Sequence, residues 1–348
     1  MHKIALEIGD TETALLALNG LYTHALVGAD YPAAGQYARA LTEAAQAAGH
    51  ATFEMIGIRA SGAVALHTGR FQPAADLLQA ALARYNVDRH LRLAHAHGYD
   101  HAEICAVFLA FAHWMRGDLA AARRVSAFSV SHSRQIRHVH SLAQALAFQA
   151  MLGFLARDPE NLGVSGLEAR ALGETHGLKQ MAGFGMFWRH ATNLLNRAGP
   201  PHAEDMAGLA EAFIAFSTVS RHNYGCICQL AFAEGFLRQG EIGEASRHLD
   251  RALAEETRTG ETWTRTERLR LCAQLLAARG DPKAAEDALV AAHDEAVASG
   301  ANTIALRIAC DLAEHAPSPA ARRRLTEASA RIMSLDGGWD EQRLHRLS

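Results

Sequence analysis

The chain has 348 residues, with 34 lysines and arginines against 37 aspartates and glutamates and a formal charge of −3. Charges of both signs are intermixed, so no whole-chain field draws nucleic acid or an anionic membrane, and neither is expected as a partner. Hydrophobic residues make up 49% and aromatics 7%; with abundant alanine, and with Gly and Pro between apolar-periodic segments, this predicts closely packed helices rather than a sheet.

Residues 2–8 are too few for an independent helix and end at Gly9-Asp10, a stop followed by an N-cap. They read as the last turns of a preceding helix, so the chain is expected to begin inside a longer array. From Thr11 an apolar-periodic segment runs to about Val27, the turn Gly28–Pro32 follows, and a second helix runs to about Ala48. The next hairpin has a helix ending at His67, the turn Thr68-Gly69-Arg70 and a helix to about Tyr85. In it Gly62, Ala74 and Ala81 fall where antiparallel helices must approach closely. Residues 86–100 read as an insertion loop. A third hairpin starts at the capping box Asp100-His101-Ala102-Glu103 and turns at Gly117-Asp118-Leu119. Later turns are predicted at Arg157-Asp158-Pro159, Ala198–Pro201, Gly240–Ala245, Gly280–Ala285 and Pro317-Ser318-Pro319. The last is followed by a helix to about Leu335 and a tail helix within 336–348.

Turn positions Gly69, Gly117, Arg157, Gly199, Gly240 and Gly280 lie 48, 40, 42, 41 and 40 residues apart. A period near 40, against about 34 for a tetratricopeptide repeat, describes the same hairpin with longer helices. The expected fold is all-α: a right-handed superhelix of about eight antiparallel helical hairpins, forming one solenoid domain over residues 1–348.

The turns carry a specific resemblance. Gly62, Ala65, Gly69, Phe71, Ala74 and Ala81 resemble the tetratricopeptide signature, as do Gly240–Leu253 and Gly280–Ala292. The run Arg84–His90 leading to Gly98-Tyr99-Asp100, with Trp114 before Gly117, is similar to the C-terminal helical region of bacterial signal-transducing AAA-like ATPases. Those proteins are often fused to class III adenylate/guanylate cyclase or transcription-factor domains. Gly260-Glu261-Thr262-Trp263 and Leu335–Asp340 resemble their late repeats. The resemblance implies a regulatory arm whose engine lies elsewhere, since the chain has neither a Gly-x-x-x-x-Gly-Lys-Ser/Thr loop nor cyclase metal-binding carboxylates. It departs from the pattern at Arg157 and Gly199, where turn residues are missing.

Five cysteines show no zinc or disulfide spacing, which fits a reducing compartment. With no basic-then-apolar leader, and no uninterrupted apolar run near the roughly 20 residues of a span, the expected location is the cytoplasm. Of the twenty histidines, His97 and His101 have ligand spacing, but Gly98 and the Asp100 cap interrupt the helix between them, so no metal is expected. His132, Arg134, Arg137, His138 and His140, with Arg123 and Arg124, read either as a modest anion site or as a favourably charged helix end. No catalytic triad or dyad can be nominated, Glu255 and Glu256 read as solvated faces, and neither enzymatic activity nor a cofactor is expected.

By the resemblance, the first helix of each hairpin lines a concave groove. The groove-facing candidates are His67, Phe111, Trp114, Arg189, Asn193, Glu234, Arg238, Arg270 and Gln274. The expected function is a non-catalytic interaction or regulatory module whose partner is a protein or an attached effector domain. The alternative is a sensor that binds a small anionic ligand in the concave surface.

Overall fold

The computed structural model describes residues 10–196, 199, 201–217 and 224–347. Among these are eighteen helices and no strand, so the chain is all-α. The first two hairpins are α1 (Thr11–Val27) with α2 (Tyr31–Ala47) and α3 (Ala51–His67) with α4 (Phe71–Arg84). A lone helix, α5 (Val87–His97), precedes α6 (His101–Met115) with α7 (Leu119–Gln135) and α8 (Val139–Ala156) with α9 (Ser165–His176). Then come α10 (Lys179–Asn196) with α11 (Ala203–Ser217), α12 (Gly225–Gln239) with α13 (Ile242–Thr259), and α14 (Arg265–Ala278) with α15 (Pro282–Ser299). The eighth hairpin is α16 (Asn302–His315) with α17 (Pro319–Ser329), and α18 (Trp339–Leu347) follows it. Neighbouring helices pack in pairs along the chain.

A short repeated grammar makes these hairpins. Asp30, Asp118, Asp158 and Asp281 sit just after a helix stop, and each carboxylate accepts the backbone N–H three residues on, from Ala33, Ala121, Asn161 and Ala284. At Asp30, Asp118 and Asp281 that satisfies one of the orphan donors at the start of the second helix; Asp158 does the same for a one-turn π-helix, Pro159–Gly163, that precedes α9. Close packing then depends on small residues. A Cβ on Gly62 would lie 2.7 Å from Leu78 Cγ, so α3 meets α4 with no room for a side chain there.

Two local expectations are corrected. Residues 86–100 are mostly helix: Asn86 caps α5 by accepting the Arg89 N–H, and Gly98 ends it in the left-handed region at φ 80°. The reason it reads as a loop is that only His90 and Ala94 are buried on it, a stripe one turn long. The second helix of the eighth hairpin stops at Ser329, short of Leu335, and residues 330–338 run on as irregular chain. The tail of a helix expected in 1–9 lies outside the described residues.

The array curves back on itself. His67 carbonyl oxygen accepts Thr262 N–H at 2.9 Å and Trp263 N–H at 3.2 Å. Asn302 Nδ2 donates to Arg116 O at 2.9 Å, and Thr303 Oγ1 donates to Trp114 O. Gly117 O accepts Met333 N–H at 2.9 Å and Ser334 N–H at 3.0 Å, while Leu119 N–H donates to Ser334 O at 2.8 Å. These bonds join the turns of the second and third hairpins to the last third of the chain. Two first helices are buried almost throughout: in α6 every residue but His113 is buried, and in α16 burial is continuous from Thr303 to Leu312. Helix α8 is, among the described residues, the one long and apolar enough to cross a membrane, with mean hydropathy 1.4 over 18 residues, and 72% of it is buried inside the bundle.

Candidate functional site

Where the closed array leaves space, it does so among α12, α14, α16 and α18. Helical spacing places the side chains there. Arg270, Gln274 and Ala278 on α14, and Arg307, Asp311, Glu314 and His315 on α16, recur every three or four residues and share one face. Glu234, Leu237 and Arg238 on α12, and Trp339, Arg343 and Arg346 on α18, complete the wall with Arg157 and Leu195. The cavity is about 530 Å³. Six arginines face it against three carboxylates, Glu234, Asp311 and Glu314.

Most of these charges hold one another. Arg270 Nη2 donates to Glu267 Oε1 at 2.7 Å and its Nη1 to Asp311 Oδ2 at 3.1 Å. Arg343 Nη2 donates to Asp311 Oδ1 and Glu314 Oε2, each at 2.6 Å. Arg307 donates to Asp340 Oδ1 at 2.6 Å and to Leu155 O at 2.8 Å, and its guanidinium lies 5.2 Å from the Trp114 ring centroid. Burial alone would raise the Glu267 carboxyl, but Arg270, with Arg307 and Arg157 behind it, holds it at about 2. Burial would lower Arg270, Arg307 and Arg343, but carboxylate partners raise them: Glu267 and Asp311 for Arg270, Asp340 for Arg307, and Glu314 and Asp311 for Arg343.

Arg157 departs from the other three. It ends α8 with φ 56°, in the left-handed region that Gly69, Gly117, Gly240 and Gly280 occupy at the other turns. For a residue with a Cβ that conformation costs about 1–2 kcal/mol, and strain of this kind gathers at functional sites. Its side chain is only 8% exposed; Nη2 donates to both Glu234 oxygens, and Glu267 lies at 3.8 Å. Nη1 is buried without a hydrogen-bond partner, and burial lowers the group's proton affinity. Arg157 also borders a void of about 20 Å³ beneath the cavity, lined by Trp114, Phe154, Leu155 and Ile304, about the space of one water.

The nine groove candidates separate into three groups. Glu234, Arg238, Arg270 and Gln274 line the cavity. Arg238 Nη2 donates to Gly199 O at 3.1 Å and Nη1 to Leu194 O, and Gln274 donates to Asp311 at 3.3 Å. His67, Phe111 and Trp114 are each 1% exposed and lie in the core, with Phe111 5.9 Å from Trp263 and His67 stacked 4.7 Å from Tyr31. Arg189 and Asn193, half-buried on α10, lie outside the cavity lining. The polar and aromatic cavity residues not anticipated are Arg157, Arg307, Asp311, Glu314, His315, Trp339, Arg343 and Arg346. The replacement of a turn glycine by Arg157 is the one signal in the sequence that marks any of them.

Several other charged groups serve the fold. His97 Nδ1 and His101 Nε2 are 2.9 Å apart and bonded to each other. Asp100 caps α6 and binds His132 at 3.0 Å and Tyr85 at 2.7 Å. Arg134 is taken by Glu168, and Arg123 by Asp158 and Asp336. Glu256 is not solvated: it is 5% exposed and accepts from Arg265 and Arg268 at 2.5 and 2.9 Å. Among the described residues no group of three His, Cys, Asp or Glu side chains is arranged to hold a metal. A scan against models of known protein families finds no match to the chain, and a search of curated proteins finds none either.

Proposed function

We propose that the chain is a non-catalytic regulatory module, a right-handed tetratricopeptide-like superhelix that works in the bacterial cytoplasm as the sensor arm of a signalling ATPase or cyclase. Its input is a small anionic ligand taken into the cavity among α12, α14, α16 and α18. The observation that carries this reading is the cavity itself: about 530 Å³, a size suited to a metabolite, with six arginines in its wall against five carboxylates, of which Glu234, Asp311 and Glu314 line it and Glu267 and Asp340 stand behind. Arg346 has no polar partner among the described residues, and Arg157 keeps one buried donor unused. Guanidinium groups of this kind take carboxylate or phosphate oxygens in bidentate pairs.

The cavity is assembled from three hairpins and α18, so a ligand that bridges them favours the seated position of α18. Such binding shifts an attached effector only in proportion to its differential affinity for the two states. A thermal-shift screen of the isolated chain against di- and tricarboxylates and nucleotides tests the proposal. A stabilising anion whose effect disappears in Arg346→Glu supports it, and no stabilisation by any anion sinks it. A protein partner is the second reading, favoured by Val164, Leu167 and Ile214, which are 44%, 46% and 64% exposed around the helices flanking α10.

A further inference from the structure

A second cavity, of about 460 Å³, lies on the seam where the array closes. It is separate from the first and is lined by Arg70, Gln72, Arg116, Ser299, Asn302 and Arg331 among others. Each arginine comes from a different turn: Arg70 from the α3–α4 connection, Arg116 from α6–α7, and Arg331 from the irregular stretch after α17. No aspartate or glutamate contributes to the lining. The guanidinium groups of Arg116 and Arg331 have no polar partner among the described residues, and Arg70 uses only Nε, on Thr68 Oγ1 at 3.3 Å. Arg116 is half-buried, and Arg70 and Arg331 are exposed at the rim; in the first cavity, by contrast, Arg157, Arg270, Arg307 and Arg343 are each met by a carboxylate.

Three guanidinium groups without a carboxylate partner line one hollow, and the fold brings their three turns together with hydrogen bonds that cross the seam. Asn302 Nδ2, in the cavity wall, is bonded to Arg116 O, and Gly117 O accepts from Met333 and Ser334. A compact anion with two or more clustered charges could be held by arginines from both sides only while the two sides are together. We propose that this cleft binds a small polyanion carrying clustered phosphate or carboxylate oxygens, and that the bound anion pins the turns of the second and third hairpins to the last hairpin of the array. The ligand enters as a third party to the seam, so its affinity is linked to closure.

The test uses the full chain, titrated calorimetrically at fixed ionic strength with inorganic pyrophosphate and, in parallel, with citrate. One of the two binds, and the tighter names phosphate or carboxylate as the natural group. The double variant Arg116→Glu/Arg331→Glu weakens that binding by about tenfold or more; Arg331→Gln alone, at an exposed position, weakens it less and guards against a folding defect. Hydrogen exchange supplies the second readout: the bound anion slows the amides of Leu119, Met333 and Ser334, which bridge the seam. Absence of binding by both anions, or binding unchanged in the double variant, overturns the site. Loss on Arg238→Glu with none on the double variant assigns the anion to the other cavity and overturns it as well. Binding without slower exchange of those three amides overturns the pinning.

Discussion

Arg157 Nη2 donates to Oε1 and Oε2 of Glu234 at 2.8 and 2.9 Å, joining the turn of the fourth hairpin to the first helix of the sixth. Removing one member of a buried pair leaves the other uncompensated, at a cost of about 3–5 kcal/mol. Arg157→Ala is therefore strongly destabilising. Arg157→Gly also removes the left-handed strain and should be milder by about 1–2 kcal/mol. Urea denaturation of both variants checks this, and equal losses would refute the strain.

Helix glycines offer a paired comparison. A Cβ at Gly62 meets Leu78, whereas Gly20, inside α1, has nothing within 4 Å of its own. Gly62→Ala should cost about 1–3 kcal/mol through overpacking. Gly20→Ala should stabilise by up to about 1 kcal/mol through helix propensity. Thermal melts showing the same sign for both would contradict this packing of α3 on α4.

Gly117 and Gly280 share φ 86°, but only Gly117 has Ile332 and Asn302 against it. Gly280→Ala should cost about 1–2 kcal/mol, the backbone term alone. Gly117→Ala should cost more and should speed exchange of the Leu119, Met333 and Ser334 amides. Identical losses, with exchange at those amides unchanged, would mean that the seam is not strained by a side chain at this turn.

His248 sits between Phe232 and Phe236, with ring centroids at 4.8 and 5.3 Å, and binds Gln229 Oε1 at 2.7 Å. Burial, with Arg251 adding to it, lowers its pKa to about 4. The unfolded chain, with a histidine near 6.5, therefore binds the proton more readily than the folded one between those values. Stability contributed here is present above pH 6.5 and is lost as pH falls toward 4. Denaturation midpoints at pH 7 and pH 5 should differ less in His248→Phe than in the wild type, and an equal difference would count against His248.

The hairpins were legible because their signals are local. A turn every 40 or so residues, most often at a glycine, needs only a capping rule and a period, and the predicted turns at Gly117, Arg157, Gly240 and Gly280 each join two helices of a pair. The cavity was half legible. Glu234, Arg238, Arg270 and Gln274 followed from their places on first helices, but the same rule nominated His67, Phe111 and Trp114, which lie in the core. What separates the two sets is closure of the array, and closure depends on contacts such as Trp114 with Thr303 that no local pattern announces. Arg307 and Arg343 were missed for the same reason, since their partners come from the far end of α16 and from α18.

An open stack of repeats can fray from either end, because each unit touches only its neighbours. The bonds from Gly117 to Met333 and from His67 to Trp263 span most of the chain, and they change that behaviour. The last hairpins must be in place before the second and third are locked, which raises the contact order and slows folding. Unfolding is correspondingly all-or-none across the hairpins that the seam joins, and a truncation that removes residues 330–347 should loosen helices near residue 117 as much as those beside the cut.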